Sequence, residues 1–260
     1  MSITAIACCC WRASRRRVET TRRYAVFGRL EALHRRGCEA RVRSKGSQTG
    51  LMQMDLNSAF DDSERLVAEL LQIIDLPTID SQRVRISDTA CSLSLEHWHS
   101  VLALLAMAML PSALVIHRAQ FEAVVRSVWL TYAAHEEDLD KLTATLNLES
   151  EQAAKNMPTV NEMMQRLQKV ARAAPAYAAL DRFKQHSWKA LNSYTHAGIH
   201  PLRRHAEGYP IALIHSVLCN TNGLGVMACM QAVVLSDEQP LQRQILDIAA
   251  KYPGCMPPLL

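Results

Sequence analysis

The chain has 260 residues, 49% of them hydrophobic, and a formal net charge of +4. That is room for one large domain or two small ones with a sizeable core. The charge is unevenly divided: residues 1–53 hold twelve basic residues against three acids, and residues 54–260 hold 17 against 22, so the body is mildly acidic and offers no general basic field to a nucleic acid.

The head, residues 1–53, is rich in Arg, nearly free of Lys and without a sustained apolar period. A mitochondrial transit peptide and a nucleic-acid-binding arm both fit that composition. The simpler expectation is upstream sequence outside the domain, with Met52 or Met54 as the start and residues 54–260 as one helical domain.

From there the apolar period is helical throughout. Asn57 or Ser58 caps a first helix to about Ile74, with acids in its first turn and Pro77 beyond its end. Residues 78–90 read as a polar connection. Further helices are expected at about 92–110, 111–134, 136–146, 159–173, 175–198, 210–235 and 240–252, several of them opened by a proline at the first turn. No alternating strand pattern appears. The fold class is therefore all-α: a single bundle of about seven to eight helices, with short connections favouring antiparallel neighbours.

Eight cysteines form no Cys-x-x-Cys pair, which removes zinc-ribbon and thioredoxin chemistry. Cys91, Cys219, Cys229 and Cys255 are scattered singly and read as small buried hydrophobes of a reducing cytoplasm. The longest apolar run, Val101 to Pro111, is too short to cross a membrane. Ile211–Leu235 is longer but carries His215, Asn220, Asn222 and Gln231. His196 and His200 have metal-pair spacing, but Gly198 between them breaks a regular helix, so neither metal nor other cofactor is expected. Met107, Met109, Met163, Met164, Met227 and Met230 read as core filling.

The anomaly is in the third helix. His117-Arg-Ala-Gln-Phe-Glu-Ala-Val-Val-Arg-Ser-Val-Trp-Leu130 places Arg118, Glu122 and Arg126 in a segment, Pro111 to Ala134, that is otherwise apolar or small. On a helical wheel Trp129 lies close to Arg118, and Glu122 and Arg126 drift onto the shoulder of the apolar stripe. Glu122 is four residues from each arginine and reaches either, so two guanidinium groups share one carboxylate. Such a trio is a buried register-fixing network, a pocket that accepts an anion, or a set of charges exposed at the surface in spite of the pattern. If buried, Glu122→Ala costs about 3–5 kcal/mol.

A second polar segment ends the sixth helix: Trp188-Lys-Ala-Leu-Asn-Ser-Tyr-Thr-His-Ala-Gly198. Tyr194 shares the apolar face with Tyr177, Leu180, Phe183, Trp188 and Leu191, whereas His196 falls off it at the helix end. A histidine there serves as general acid or base, or caps the last turn.

Together, Arg118, Glu122, Arg126, Trp129-Leu130, the Trp188–Gly198 segment and Arg203-Arg204 resemble an uncharacterised bacterial all-helical family known only as a domain of unknown function, over about residues 85–240. In outline that family is similar to the HEPN helical domains, which include RNases of toxin–antitoxin and phage-defence systems and often form homodimers. The resemblance implies a pocket built from Arg118, Glu122, Arg126, Trp129, Tyr194 and His196. It also implies a regulatory or defence role in the cytoplasm, exercised through a protein partner, RNA or a bound anion. The alternative it implies is a metal-independent RNase with Arg126 and His196 as catalytic candidates. The chain departs from the HEPN nuclease pattern, which puts four to six residues between an Arg and a His. Arg126 to His135 and Arg204 to His215 are too long, and Arg182 to His186 is too short.

Overall fold

The computed structural model describes residues 47–258, with side chains described from Leu56 onward. Of the basic head expected at residues 1–53, residues 1–46 lie outside the described residues. Among the described residues there are ten α-helices and no strand, so the chain is all-α. They are α1 (Ser47–Ile74), α2 (Gln82–Ala106), α3 (Leu110–Tyr132), α4 (Glu136–Thr143), α5 (Leu148–Ala154), α6 (Val160–Gln168), α7 (Ala174–Thr195), α8 (Ile199–Glu207), α9 (Ile211–Leu235) and α10 (Leu241–Ala249).

Helix α1 starts ahead of Asn57 and runs across the boundary expected at residue 54. The expected polar connection at 78–90 is mostly helix. The Ser81 side chain accepts from the Val84 amide and starts α2 at Gln82, and the polar residues that looked like a loop are its capping and docking face. Arg83, for instance, donates to the carbonyls of Leu130 and Ala134, at 2.8 and 2.9 Å, satisfying the end of α3. Two short helices, α5 and α8, also lie in segments read as loops. Asn147 and Ser150 close a capping box on α5. These two short helices raise the count above the expected seven to eight; α5 is held by its capping box, whereas α8 follows Gly198 without a side-chain cap.

Helices α2 and α3 form the principal hairpin, turned by Ala108 in the left-handed region at φ 57°. Helix α9 packs across both and also against α1 and α10. It is long and apolar enough to cross a membrane by length and composition, but 72% of its most apolar window is buried in the bundle. Trp98, Phe121, Trp129, Leu66, Leu70 and Leu130, on α1, α2 and α3, are among the largest fully buried side chains. Met163 and Met164 are core residues as expected, but Met107 and Met109 are exposed in the α2–α3 turn, where chain reversal leaves no helix to cover them. Cys91, Cys219, Cys229 and Cys255 are all buried.

Thr221, Asn222 and Gln231 of α9 are buried too, whereas His215 and Asn220 are half-buried. Trp98 Nε1 donates to Asn222 Oδ1 at 2.9 Å, and Asn222 Nδ2 donates to Ser63 Oγ at 2.7 Å and to the Cys255 carbonyl at 2.9 Å. Gln231 Nε2 donates to Thr131 Oγ1 at 2.7 Å. Read from sequence, Asn222 and Gln231 only argued against a membrane span. In the fold they tie α9 to α1, α2 and α3, each satisfied at burial as the cost of an unpaired polar group requires.

Candidate functional site

Helices α3 and α7 lie antiparallel and hold most of the expected site residues. Tyr132, at the end of α3, is within electrostatic reach of Arg172, just ahead of α7. Further along, the Arg118 guanidinium stacks over the Trp188 ring, 4.9 Å from its centroid. Phe121 stacks on Phe183 at 4.7 Å and meets Trp188 edge-on at 5.8 Å. The apolar face of α7 seen on the wheel is the face that meets α3, with Leu180, Leu191 and Tyr194 buried.

The charged trio is not sealed. Arg118 Nε lies 2.9 Å from Glu122 Oε1 without the alignment of a hydrogen bond, and their side chains are 18% and 37% exposed. A half-wet i,i+4 pair of this kind contributes little, because water already solvates both charges. Glu122→Ala is therefore expected to cost about 1 kcal/mol or less, in place of the larger loss a buried network implies. Chemical denaturation checks this; a loss above about 3 kcal/mol would restore the sealed network.

Arg126 continues the same row one turn further on. It is half-buried and has neither an ion-pair partner nor a hydrogen-bond acceptor among the described residues. Burial lowers its pKa from the ordinary arginine value, and the charge of Glu122 offsets this only in part, while Glu122 is itself in contact with Arg118. Trp129, the next member of the row, is fully buried beneath Arg166, whose guanidinium carbon is 5.9 Å from the ring centroid. Its indole N–H is a second buried donor with no acceptor among the described residues. Arg166 is held by Asp138 at 2.9 Å.

Tyr194 and His196 lie elsewhere. His196 is exposed and caps the end of α7, beyond which Ala197 takes φ 50° and the Gly198 amide donates back to the Ser193 carbonyl at 2.7 Å. The glycine expected at this end sits one residue past the left-handed position. It favours close approach: a Cβ there would stand 2.6 Å from Ser193 Oγ and 3.2 Å from the Ser193 carbonyl oxygen. Tyr194 is buried; burial and then the Tyr209 hydroxyl hold its phenol above the ordinary range. With Arg118 over Trp188, His196 is eight residues further along α7 and Arg126 eight residues further along α3, in opposite directions. At 1.5 Å rise per residue they are roughly 24 Å apart along the seam. The expected six-residue pocket is thus two places: the Arg118–Glu122–Arg126–Trp129 row, and the Tyr194/His196 corner at the far end.

One residue of the His117–Leu130 run carries a role that the sequence does not reveal. His117 is 2% exposed, in a network that joins α3 to α9. Gln120 Nε2 donates to the Thr221 carbonyl at 2.9 Å, which turns the Gln120 oxygen to the imidazole. Nδ1 must then carry the hydrogen, with Gln120 Oε1 at 3.1 Å and Thr221 Oγ1 at 3.0 Å as acceptors. Phe183 covers the ring edge-on at 5.2 Å. The i,i+3 spacing of His117 and Gln120 was visible in the sequence; its partner 104 residues away was not.

Two shallow open grooves among the described residues share no residue with this row, one lined by Gln82, Arg85, Ile86, Thr89 and Thr143 and the other by Ala68, Leu71, Gln72 and Asp75. Neither encloses a set of acid, base and nucleophile. Comparison with curated proteins and with solved structures gives no match. A family profile, the family of unknown function DUF6988, matches residues 91–258, which spans α2 to the C-terminal turn and contains both the Arg126 row and the Tyr194 corner. The chain belongs to that family of unknown function.

Proposed function

We propose that the protein is a cytoplasmic interaction module that receives an anionic group at the Arg126 end of the α3 row. The regulatory or phage-defence setting comes from the motif resemblance; the chemistry comes from the row itself. The observation that carries the reading is the guanidinium of Arg126, which among the described residues makes no ion pair or hydrogen bond and shares the charge of Glu122 with Arg118. A half-buried positive charge so weakly compensated is costly to keep, and a carboxylate or phosphate brought by a partner would supply the missing charge in bidentate form.

The HEPN-type RNase is the other reading the resemblance implies. It needs Arg126 and His196 in one cleft, and within one chain they lie at opposite ends of the α3–α7 seam. The binding reading is favoured for that reason.

Thermal unfolding of the full chain in increasing inorganic phosphate tests the choice. The expected result is a rise in midpoint that saturates, is lost in Arg126→Gln and survives in Arg85→Gln, a surface control. An equal response in all three proteins would remove the site. Cleavage of total RNA by the parent, abolished in both Arg126→Ala and His196→Ala, would replace this reading with the nuclease.

A further inference from the structure

Helix α8 is mounted with its apolar face outward. Pro201 and Arg204 are its only half-buried residues and Arg204 lies within electrostatic reach of Tyr194, so this edge meets the body. On the wheel Ile199, Leu202 and Ala206 share the other side, and Ile199 and Leu202 are 66% and 65% exposed. None of the nine residues of α8 is buried. A surface helix ordinarily turns its apolar stripe to the core, so this one is presented to something else. Its surroundings are basic: residues 182–207 hold five Arg and Lys against the single acid Glu207.

The opposite end of the molecule carries the complement. Leu146, in the turn between α4 and α5, and Leu148, the first residue of α5, are 80% and 72% exposed. Residues 136–151 hold six acids against Lys141 alone. Two of the acids are occupied, Glu136 by Arg83 and Asp138 by Arg166. Glu137, Asp140, Glu149 and Glu151 remain exposed around the two leucines.

These surfaces cannot meet within one chain. Helix α4 follows the C-terminal end of α3, α8 follows the C-terminal end of α7, and α3 and α7 run antiparallel. The 23 residues of α3 hold the two patches on the order of 35 Å apart. We infer that α8 of one copy docks on the acidic Leu146/Leu148 turn of a second copy, so that the protein self-associates head to tail. The inference is independent of the Arg126 site, which neither surface includes. A two-fold contact of α8 with itself would set basic surface against basic surface; the heterologous contact pairs opposite charges over matched aliphatic side chains. Because one copy keeps a free patch at each end, the contact builds a ring or an open chain.

Light scattering of the full chain across a concentration series gives the test. Leu146→Ser/Leu148→Ser and Ile199→Ser/Leu202→Ser remove the two patches, and the side chains are exposed enough for both variants to keep the parent thermal midpoint. Parent assemblies beyond the dimer are expected at low salt, dissociating as salt rises. Each variant alone should associate roughly tenfold or more weakly. An equimolar mixture of the two should recover association but stop at a 1:1 dimer, since only one complementary pair of patches survives. A parent that stays monomeric at every concentration would overturn the inference. So would loss of assembly in the α8 variant with none in the Leu146/Leu148 variant, which is the signature of a two-fold contact or of a different partner for α8.

Discussion

Gly225→Ala should destabilise the protein by about 3 kcal/mol or more, although the same change in an ordinary helix interior stabilises by nearly 1 kcal/mol. Gly225 lies inside α9, and an added Cβ would stand 2.2–2.5 Å from Cδ2, Cε2 and Cε3 of Trp98. No real carbon sits that close, and the neighbour is a fully buried indole. Trp98 also cannot retreat freely, because its N–H is committed to Asn222, which in turn holds Ser63 and the Cys255 carbonyl. Moving the ring strains the packing and loosens a network that joins α1, α2, α9 and the C-terminal turn. Gly223 supplies the contrast: a Cβ there meets the ring of half-exposed Pro257, near the end of the described chain, at 2.9 and 3.3 Å, and that neighbour has room to shift. Denaturant midpoints of the two variants separate backbone propensity from close approach. A Gly225→Ala protein at least as stable as its parent would show that Trp98 and α9 are not in contact.

The sequence yielded the elements that rest on apolar periodicity, and it missed what rests on pairing across the chain. Helices α3 and α7 were legible because their apolar positions recur at helical spacing, α9 because it is a long apolar run, and prolines mark all three starts. Helix α2 was cut short because Gln82, Arg83 and Arg85 look like a loop until Ser81 is seen to cap them and Arg83 is seen to dock on α3. The charged row of α3 stands out in the sequence, but the wheel cannot tell a sealed network from a wet edge, since that depends on which helices cover its shoulder. Tyr194 and His196 were joined to the row by motif order alone; the antiparallel packing of α3 and α7 separates them. His117, in contrast, was passed over as one more polar residue beside Arg118, because Thr221 reaches it only through the fold. Met107 and Met109 show the converse error: apolar type predicted burial, and their place in a tight hairpin turn overrode it.

That overlooked histidine sets the expected response of the protein to acid. Burial holds the His117 imidazole neutral and pushes its pKa down to about 4, with the hydrogen bond to Gln120 opposing this in part. In the unfolded chain the same ring titrates near the ordinary histidine value of about 6.5. Between those values the unfolded state binds a proton that the folded state refuses, so stability falls as pH drops from about 6.5 and levels off below about 4. Each unit of difference is worth about 1.4 kcal/mol, which puts the whole loss near 3 kcal/mol. Above pH 7 both states are neutral and the contribution is flat. Acidic residues titrate in the lower part of the window, so the informative quantity is the difference between the parent and His117→Gln, whose amide cannot ionise. That variant begins less stable because it disturbs the contacts to Gln120, Thr221 and Phe183, but its disadvantage should shrink steadily from pH 7 to pH 4. Parallel curves for the two proteins would mean that His117 is open to solvent and already free to take its proton in the folded state.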